Sequence, residues 1–184
     1  MTGWWRRNRV ALVATLVLAP LTVGIVFQNE WGGFREGRPV EPVDVAVGAD
    51  TDFGTTTWRV DGADRIRWSS DPGVERELPV GTDLVVVHMT VIPHAIVDWA
   101  SEGCTLMLDE ADGDRSARTW EPASSSYLDL DFDDPTTTGC DSTRLGRYEA
   151  AVGFLVPVDA GEDADLRLAV QTVDQLPRYL RITL

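Results

Sequence analysis

Apolar and polar positions follow two different patterns along this chain. Val10 to Phe27, VALVATLVLAPLTVGIVF, is eighteen residues without a charge. At about 1.5 Å per residue, a helix of that length spans roughly 27 Å, close to the hydrocarbon thickness of a bilayer. From Val43 onward the period is two and no segment shows a convincing period of 3.6. Val43, Val45 and Val47 alternate with Asp44 and Ala46, and Thr56, Trp58 and Val60 alternate with Thr57 and Arg59, with Ile66 and Trp68 following. Leu84 to Ile92 is apolar on both faces, as in a central strand covered twice. Leu106 and Leu108 continue the pattern into a turn at Asp112-Gly113. Leu128, Leu130 and Phe132 alternate with Asp129, Asp131 and Asp133, and further strands are expected at Ala150–Val156, Leu166–Val170 and Leu180–Leu184. Asp71-Pro72-Gly73, Pro79-Val80-Gly81 and Asp134-Pro135 read as turns between them. Short strands divided by Gly, Pro and Asp predict an all-β, antiparallel β-sandwich or barrel.

The flanks of the apolar run give it a direction. Arg6, Arg7 and Arg9 precede it with no acid among them, which predicts a cytoplasmic N-terminus and a C-terminal domain outside the cytoplasm. Trp4 and Trp5 on one side, and Trp31 and Phe34 on the other, are expected at the two membrane interfaces. Pro20 lies mid-span, where a membrane helix tolerates it with a kink. The competing reading is a cleaved signal peptide, with cutting after Ala19 or Gly24, although Pro20 opposes the first of these. Residues 28–42, with Gly32, Gly33, Gly37, Pro39 and Pro42, read as a juxtamembrane linker. The expected organisation is a cytoplasmic tail over residues 1–9, a transmembrane signal-anchor helix over 10–27, the linker over 28–42 and the extracytoplasmic sandwich over 43–184.

Charge removes one class of partner. All sixteen bases are Arg, and the thirteen beyond residue 9 face all thirty acids, a net of −17. Such a surface repels phosphate backbones, so nucleic acid is not an expected partner. The two cysteines, Cys104 and Cys140, both follow the apolar run, on the side where a disulfide persists. Their spacing does not fit a CxxC motif, so a structural disulfide is expected.

The run Gly81–Val91, the stretch Leu106-x-Leu108-Asp109 with Gly113 after it, and Phe154-x-Val156-Pro157 before Leu166-x-Leu168 carry a family likeness. Over about residues 50 to 184 the chain resembles a bacterial extracytoplasmic family of unknown function with an immunoglobulin-like β-sandwich, related in fold to a small secreted mycobacterial antigen. The resemblance implies an immunoglobulin-like fold behind an N-terminal anchor, and it implies no catalytic residues. The chain departs from the family pattern at Pro93-His94 and over Arg144–Glu149.

Candidate chemistry is sparse. There is no Gly-x-Ser-x-Gly elbow, phosphate-binding Gly loop or His-Glu-x-x-His helix. His88 is expected as a hydrogen-bonded sandwich residue and His94 as an exposed loop residue. Between Asp98 and Asp141 stand twelve acids and two bases, Arg115 and Arg118. Asp129, Asp131, Asp133, Asp134 and Asp141 are the candidate calcium ligands, provided a neighbouring loop joins the strand. A solvated acidic face, or one that docks a basic partner, explains the same residues. The chain is therefore expected to be a non-enzymatic, membrane-anchored module contacting another envelope protein. The alternative is a small-ligand or calcium-binding domain using the acidic loops.

Overall fold

In the computed structural model, residues 2–95, 104–112, 115–128, 136–141, 144, 146–161 and 166–184 are described. They form two separate units, Met1–Arg38 and Pro39–Leu184.

The first unit is one helix, α1 (Thr2–Glu36), with Pro20 inside it. Its stretch Arg7–Phe34 is long and apolar enough to cross a membrane, with mean hydropathy 2.5 in its most apolar window and none of that window buried. Two hydroxyls in the run turn back onto the helix: Thr15 Oγ1 donates to Ala11 O and Thr22 Oγ1 to Leu18 O, each at 2.9 Å. Helix also takes up most of the expected linker. Residues 28–36 continue α1, which closes with Gly37 N donating to Gly33 O at 3.1 Å. Gly32 and Gly33 each disfavour a helix by roughly 1 kcal/mol, but ring stacking from Phe27 through Trp31 to Phe34 runs along the same turns.

The second unit is a two-layer β structure of nine strands among the described residues: β1 (Glu41–Val45), β2 (Thr51–Phe53), β3 (Thr56–Ile66), β4 (Thr82–Pro93), β5 (Cys104–Asp112), β6 (Arg115–Trp120), β7 (Tyr148–Pro157), β8 (Leu166–Thr172) and β9 (Arg178–Thr183). One sheet has the order β1-β9-β8-β5-β6 and the other β2-β3-β4-β7. The chain is a β-sandwich. It is antiparallel throughout these pairings except at one edge, where β1 runs parallel to β9. The expected fully antiparallel arrangement is corrected there. Asp44 and Arg181 are partners in that parallel register, and a two-bonded ion pair of 2.6 and 2.9 Å pins the edge.

Alternation places the core. Val85, Val87, Met89 and Val91 of β4 face inward with Val152, Phe154 and Val156 of β7, and meet Leu108, Leu168 and Leu180 of the other sheet. The opposite face of β4 is apolar only at its start. There Leu84 and Val86 lie under a second cluster built with Leu78, Ala151, Trp68, Tyr127 and Leu128. The expectation of a strand covered on both faces thus holds for the first half of β4, and His88 emerges into solvent beyond it.

Three local readings change. Asp71-Pro72-Gly73 is the first turn of a short helix, α2 (Asp71–Glu75), because the Ser70 hydroxyl accepts from Gly73 N at 3.3 Å and Pro72 suits an N-terminal helical position. Ser125–Tyr127 is a 3₁₀ turn that lays Leu128 on Gly153, where a Cβ would come within 2.9 Å of Leu128 Cδ2. Leu128 is therefore a cover on the sheet and not the start of an acidic strand; residues 129–135 lie outside the described residues. The strand β6 went unread because Arg-Ser-Ala-Arg-Thr-Trp carries no apolar alternation.

Cys104 and Cys140 stand at disulfide distance and are bonded, with Cα atoms 6.3 Å apart. Cys104 opens β5, while Thr137 lies on the other sheet: Thr137 N donates to Glu149 O and Ala151 N to Thr137 O. The bond therefore links the two layers. Closing a loop of sequence separation 36 restricts the unfolded chain by roughly 3–4 kcal/mol. Cys104→Ser, Cys140→Ser and the double variant should lose a similar amount in denaturant melts of the detergent-solubilised chain. Two clearly additive losses would contradict a shared bond. A second prediction concerns Gly73, where an added Cβ would stand 2.1 Å from Arg67 O. Gly73→Ala should lower stability by about 1–3 kcal/mol, measured in the same melts, because backbone has to move.

Candidate functional site

The charged side chains gather at identifiable places on the sandwich. At the end where β3 finishes and β4 begins, Arg65 Nε meets Asp83 Oδ2 at 3.0 Å. Asp83 Oδ1 also accepts from Trp68 N at 3.2 Å. Both side chains are largely buried, at 16% and 6% exposure, so removing either would strand the other charge. Arg65 Nη1 continues to Gly161 O at 2.7 Å. From the other sheet, Glu110 of β5 accepts from Gly161 N at 2.8 Å. Glu110 also takes two bonds from Arg118, of 2.6 and 3.0 Å, and Arg118 reaches Asp159 at 3.1 Å. One residue, Gly161, is thus gripped from both layers, by its N–H and by its C=O.

That geometry moves both partners. The Arg118 guanidinium first, and then the Gly161 N–H, hold the Glu110 carboxyl down to about 2. Glu110 and then Asp159 raise Arg118 above its ordinary value. Arg118 also lies over the Trp120 ring at 5.5 Å, and Trp120 is half-buried against the core. Two of the acids between Asp98 and Asp141 therefore do structural work: Asp109 accepts from Thr119 Oγ1 at 2.7 Å, and Glu110 holds the clamp.

Histidine chemistry lies elsewhere. His94 is exposed as expected, and its Nε2 is 2.6 Å from Thr57 Oγ1, which donates in turn to Asp52 Oδ1. The same Nε2 lies 3.7 Å from Asp52 Oδ1. A Ser-His-Asp relay needs one imidazole nitrogen on the hydroxyl and the other on the carboxylate. Here a single nitrogen faces both, which is not the geometry of that relay. His88 is a hydrogen-bonded residue of the sandwich, as expected: it meets Asp64 at 3.2 Å on the exposed outer face of β4. Beside it Thr90 donates to Asp61 at 2.8 Å, and Arg59 bonds the same carboxyl group at 2.7 Å.

Of the candidate calcium ligands, Asp129, Asp131, Asp133 and Asp134 lie outside the described residues, as do Asp98 and Trp99. Asp141 is described. Its Oδ2 pairs with Arg144 at 3.3 Å, and its N–H donates to Tyr148 Oη at 3.2 Å. Burial pushes the Tyr148 phenol up. Among the described residues, no group of three or more His, Cys, Asp or Glu is placed to hold a metal ion.

Of the expected interface residues, Trp4, Trp31 and Phe34 are exposed on α1, and Arg7 and Arg9 lie along it; nothing is described of the Trp5 and Arg6 side chains. The residues that sequence reasoning missed are Arg65, Asp83 and Gly161. Only Asp83 carried a signal, as an acid beginning an otherwise apolar strand.

No family model and no curated protein matches the chain. Among solved structures it is similar to an uncharacterized β-sandwich protein from Clostridium difficile 630, with 8% identity and a TM-score of 0.44, over 78% of this chain and 95% of that one.

The clamp predicts a pH signature. Because the folded Glu110 carboxyl is held at about 2, below its ordinary 4.5, its contribution is complete above pH 4.5 and is lost as pH falls toward 2. Glu110→Gln should melt below the wild type at neutral pH, and the gap should close over that window. A gap that stays constant down to pH 2 would contradict the clamp.

Proposed function

We propose that the protein is a membrane-anchored, extracytoplasmic immunoglobulin-like module of a bacterial cell envelope, which contacts another envelope protein and performs no catalysis. The observation that carries this reading is the bare apolar surface of α1. Val10 and Leu16 are 76% and 77% exposed, and their unit holds no other element to cover them. Apolar area in water is unfavourable by roughly 25 cal/mol per Å², so a lipid phase is the fitting surroundings. The back-bonded hydroxyls of Thr15 and Thr22 suit that phase, where every polar group needs an internal partner. Arg6, Arg7 and Arg9 favour a cytoplasmic N-terminus. A Cys104–Cys140 disulfide suits an oxidising compartment.

The immunoglobulin-like reading draws on topology. The hairpins β5–β6 and β8–β9 lie in one sheet, β4 and β7 pair in the other, and the chain changes sheet between β4 and β5, β6 and β7, and β7 and β8. That is the Greek-key order of immunoglobulin-like sandwiches, and it agrees with the likeness to the family of the mycobacterial antigen. Recognition is favoured over catalysis because Arg65, Arg118, His94 and Asp141 are engaged within the fold. The link from this scaffold to protein contact is one of association.

A reporter that is active only outside the cytoplasm, fused after Leu184, should be active, and a cytoplasmic reporter at the same place should be silent. The reverse pattern would overturn the topology. A mature chain beginning after Ala19 or Gly24 would replace the anchor by a signal peptide.

A further inference from the structure

We propose that Phe27, Trp31 and Phe34 on one face of α1, with Arg38 just beyond its end, form a phospholipid-headgroup contact, a reading that rests on the anchor and names its partner. The three rings follow the spacing i, i+4, i+7, which is a single stripe on a helix. Phe27 and Trp31 stack at 5.9 Å and 14°, Trp31 and Phe34 at 6.0 Å and 20°, and the Arg38 guanidinium covers the Phe34 ring at 4.0 Å. The rings form a continuous column on the outside of the helix, 63%, 53% and 49% exposed. It begins at the residue where the uncharged run ends.

Position and chemistry agree. Val10 to Phe27 fills roughly 27 Å of hydrocarbon, and the rise from Phe27 to Phe34 adds about 10 Å, the scale of one headgroup layer. Indole rings favour that layer, with an apolar body and one N–H donor. A guanidinium held over a ring retains five N–H donors in a fork that matches phosphate oxygens. Glu30 offsets the charge of Arg38 within the same segment. The ligand is therefore the phosphate common to all phospholipids, and a net anionic surface is not required.

The test uses the full chain, labelled with fluorotryptophan, in phosphatidylcholine vesicles, with Trp31→Phe identifying the Trp31 fluorine resonance. Spin-labelled lipid carrying the radical on the headgroup should broaden that resonance, and lipid labelled at the acyl chain end should spare it. Adding phosphatidylglycerol should change neither result, and Arg38→Gln should weaken the headgroup effect. Broadening by the chain-end label alone would overturn the proposal. So would a Trp31 resonance that ignores both labels and shifts with protein-to-lipid ratio, since that marks the column as a contact between two copies. Flotation of the vesicles reads the anchor separately: a chain that fails to float overturns the anchored reading itself, whereas a floating chain with either contrary spectrum overturns only the headgroup contact.

Discussion

A two-layer sandwich keeps its interior dry only if the layers are held together where the strands stop, and in this chain one glycine does much of that at one end. Gly161 donates to Glu110 of one sheet and accepts from Arg65 of the other. Neither bond would stand alone. Glu110 is fixed by Arg118, and Arg65 by the buried carboxylate of Asp83. The inward faces of β4, β7 and β8, with Phe154, Leu84's neighbour Val85, and Leu168 almost without exposure, lie against each other behind this closure. Toward the end where β5 begins, the Cys104–Cys140 bond and the strand-like contact of Thr137 with β7 tie the layers again.

The same arrangement explains how a domain so acidic packs. Asp83, Glu110, Asp44 and Asp61 each accept a bond from an arginine, so part of the negative charge is paired, within the fold at Asp83 and on its surface at Asp44 and Asp61. Edges are managed as well. Ala123 and Thr137 bond the side of β7 away from β4, and β1 carries Pro42 and two exposed acids. An unguarded strand would invite pairing with other chains. Of the acids between Asp98 and Asp141, Asp109, Glu110 and Asp141 are held in structural pairs.

How much of this could be read beforehand depended on distance along the chain. The strands β4, β7, β8 and β9 were legible because their inward residues are β-branched or large and recur every second position. The cysteine pairing was legible because there are only two. The short helix α2 was not, since five residues cannot repeat a helical period. Leu128, expected to begin a strand, instead covers Gly153, and the alternation after it lies outside the described residues. The clamp was invisible for a simpler reason: its bonds join residues 51 and 96 apart, and the Asp44–Arg181 bond residues 137 apart, where no local spacing leaves a trace. The aromatic residues after the apolar run were expected at an interface, but their stacking into one column required the helix to continue past Phe27.

Native-state amide exchange at Gly161 tests the central claim, that closure of the sandwich runs through that residue. If the clamp holds the two layers, the Gly161 amide should exchange only with global unfolding, at the same free energy as the β8 amides of Leu168 and Val170. Exchange at the rate of an open loop, with β8 still protected, would contradict it.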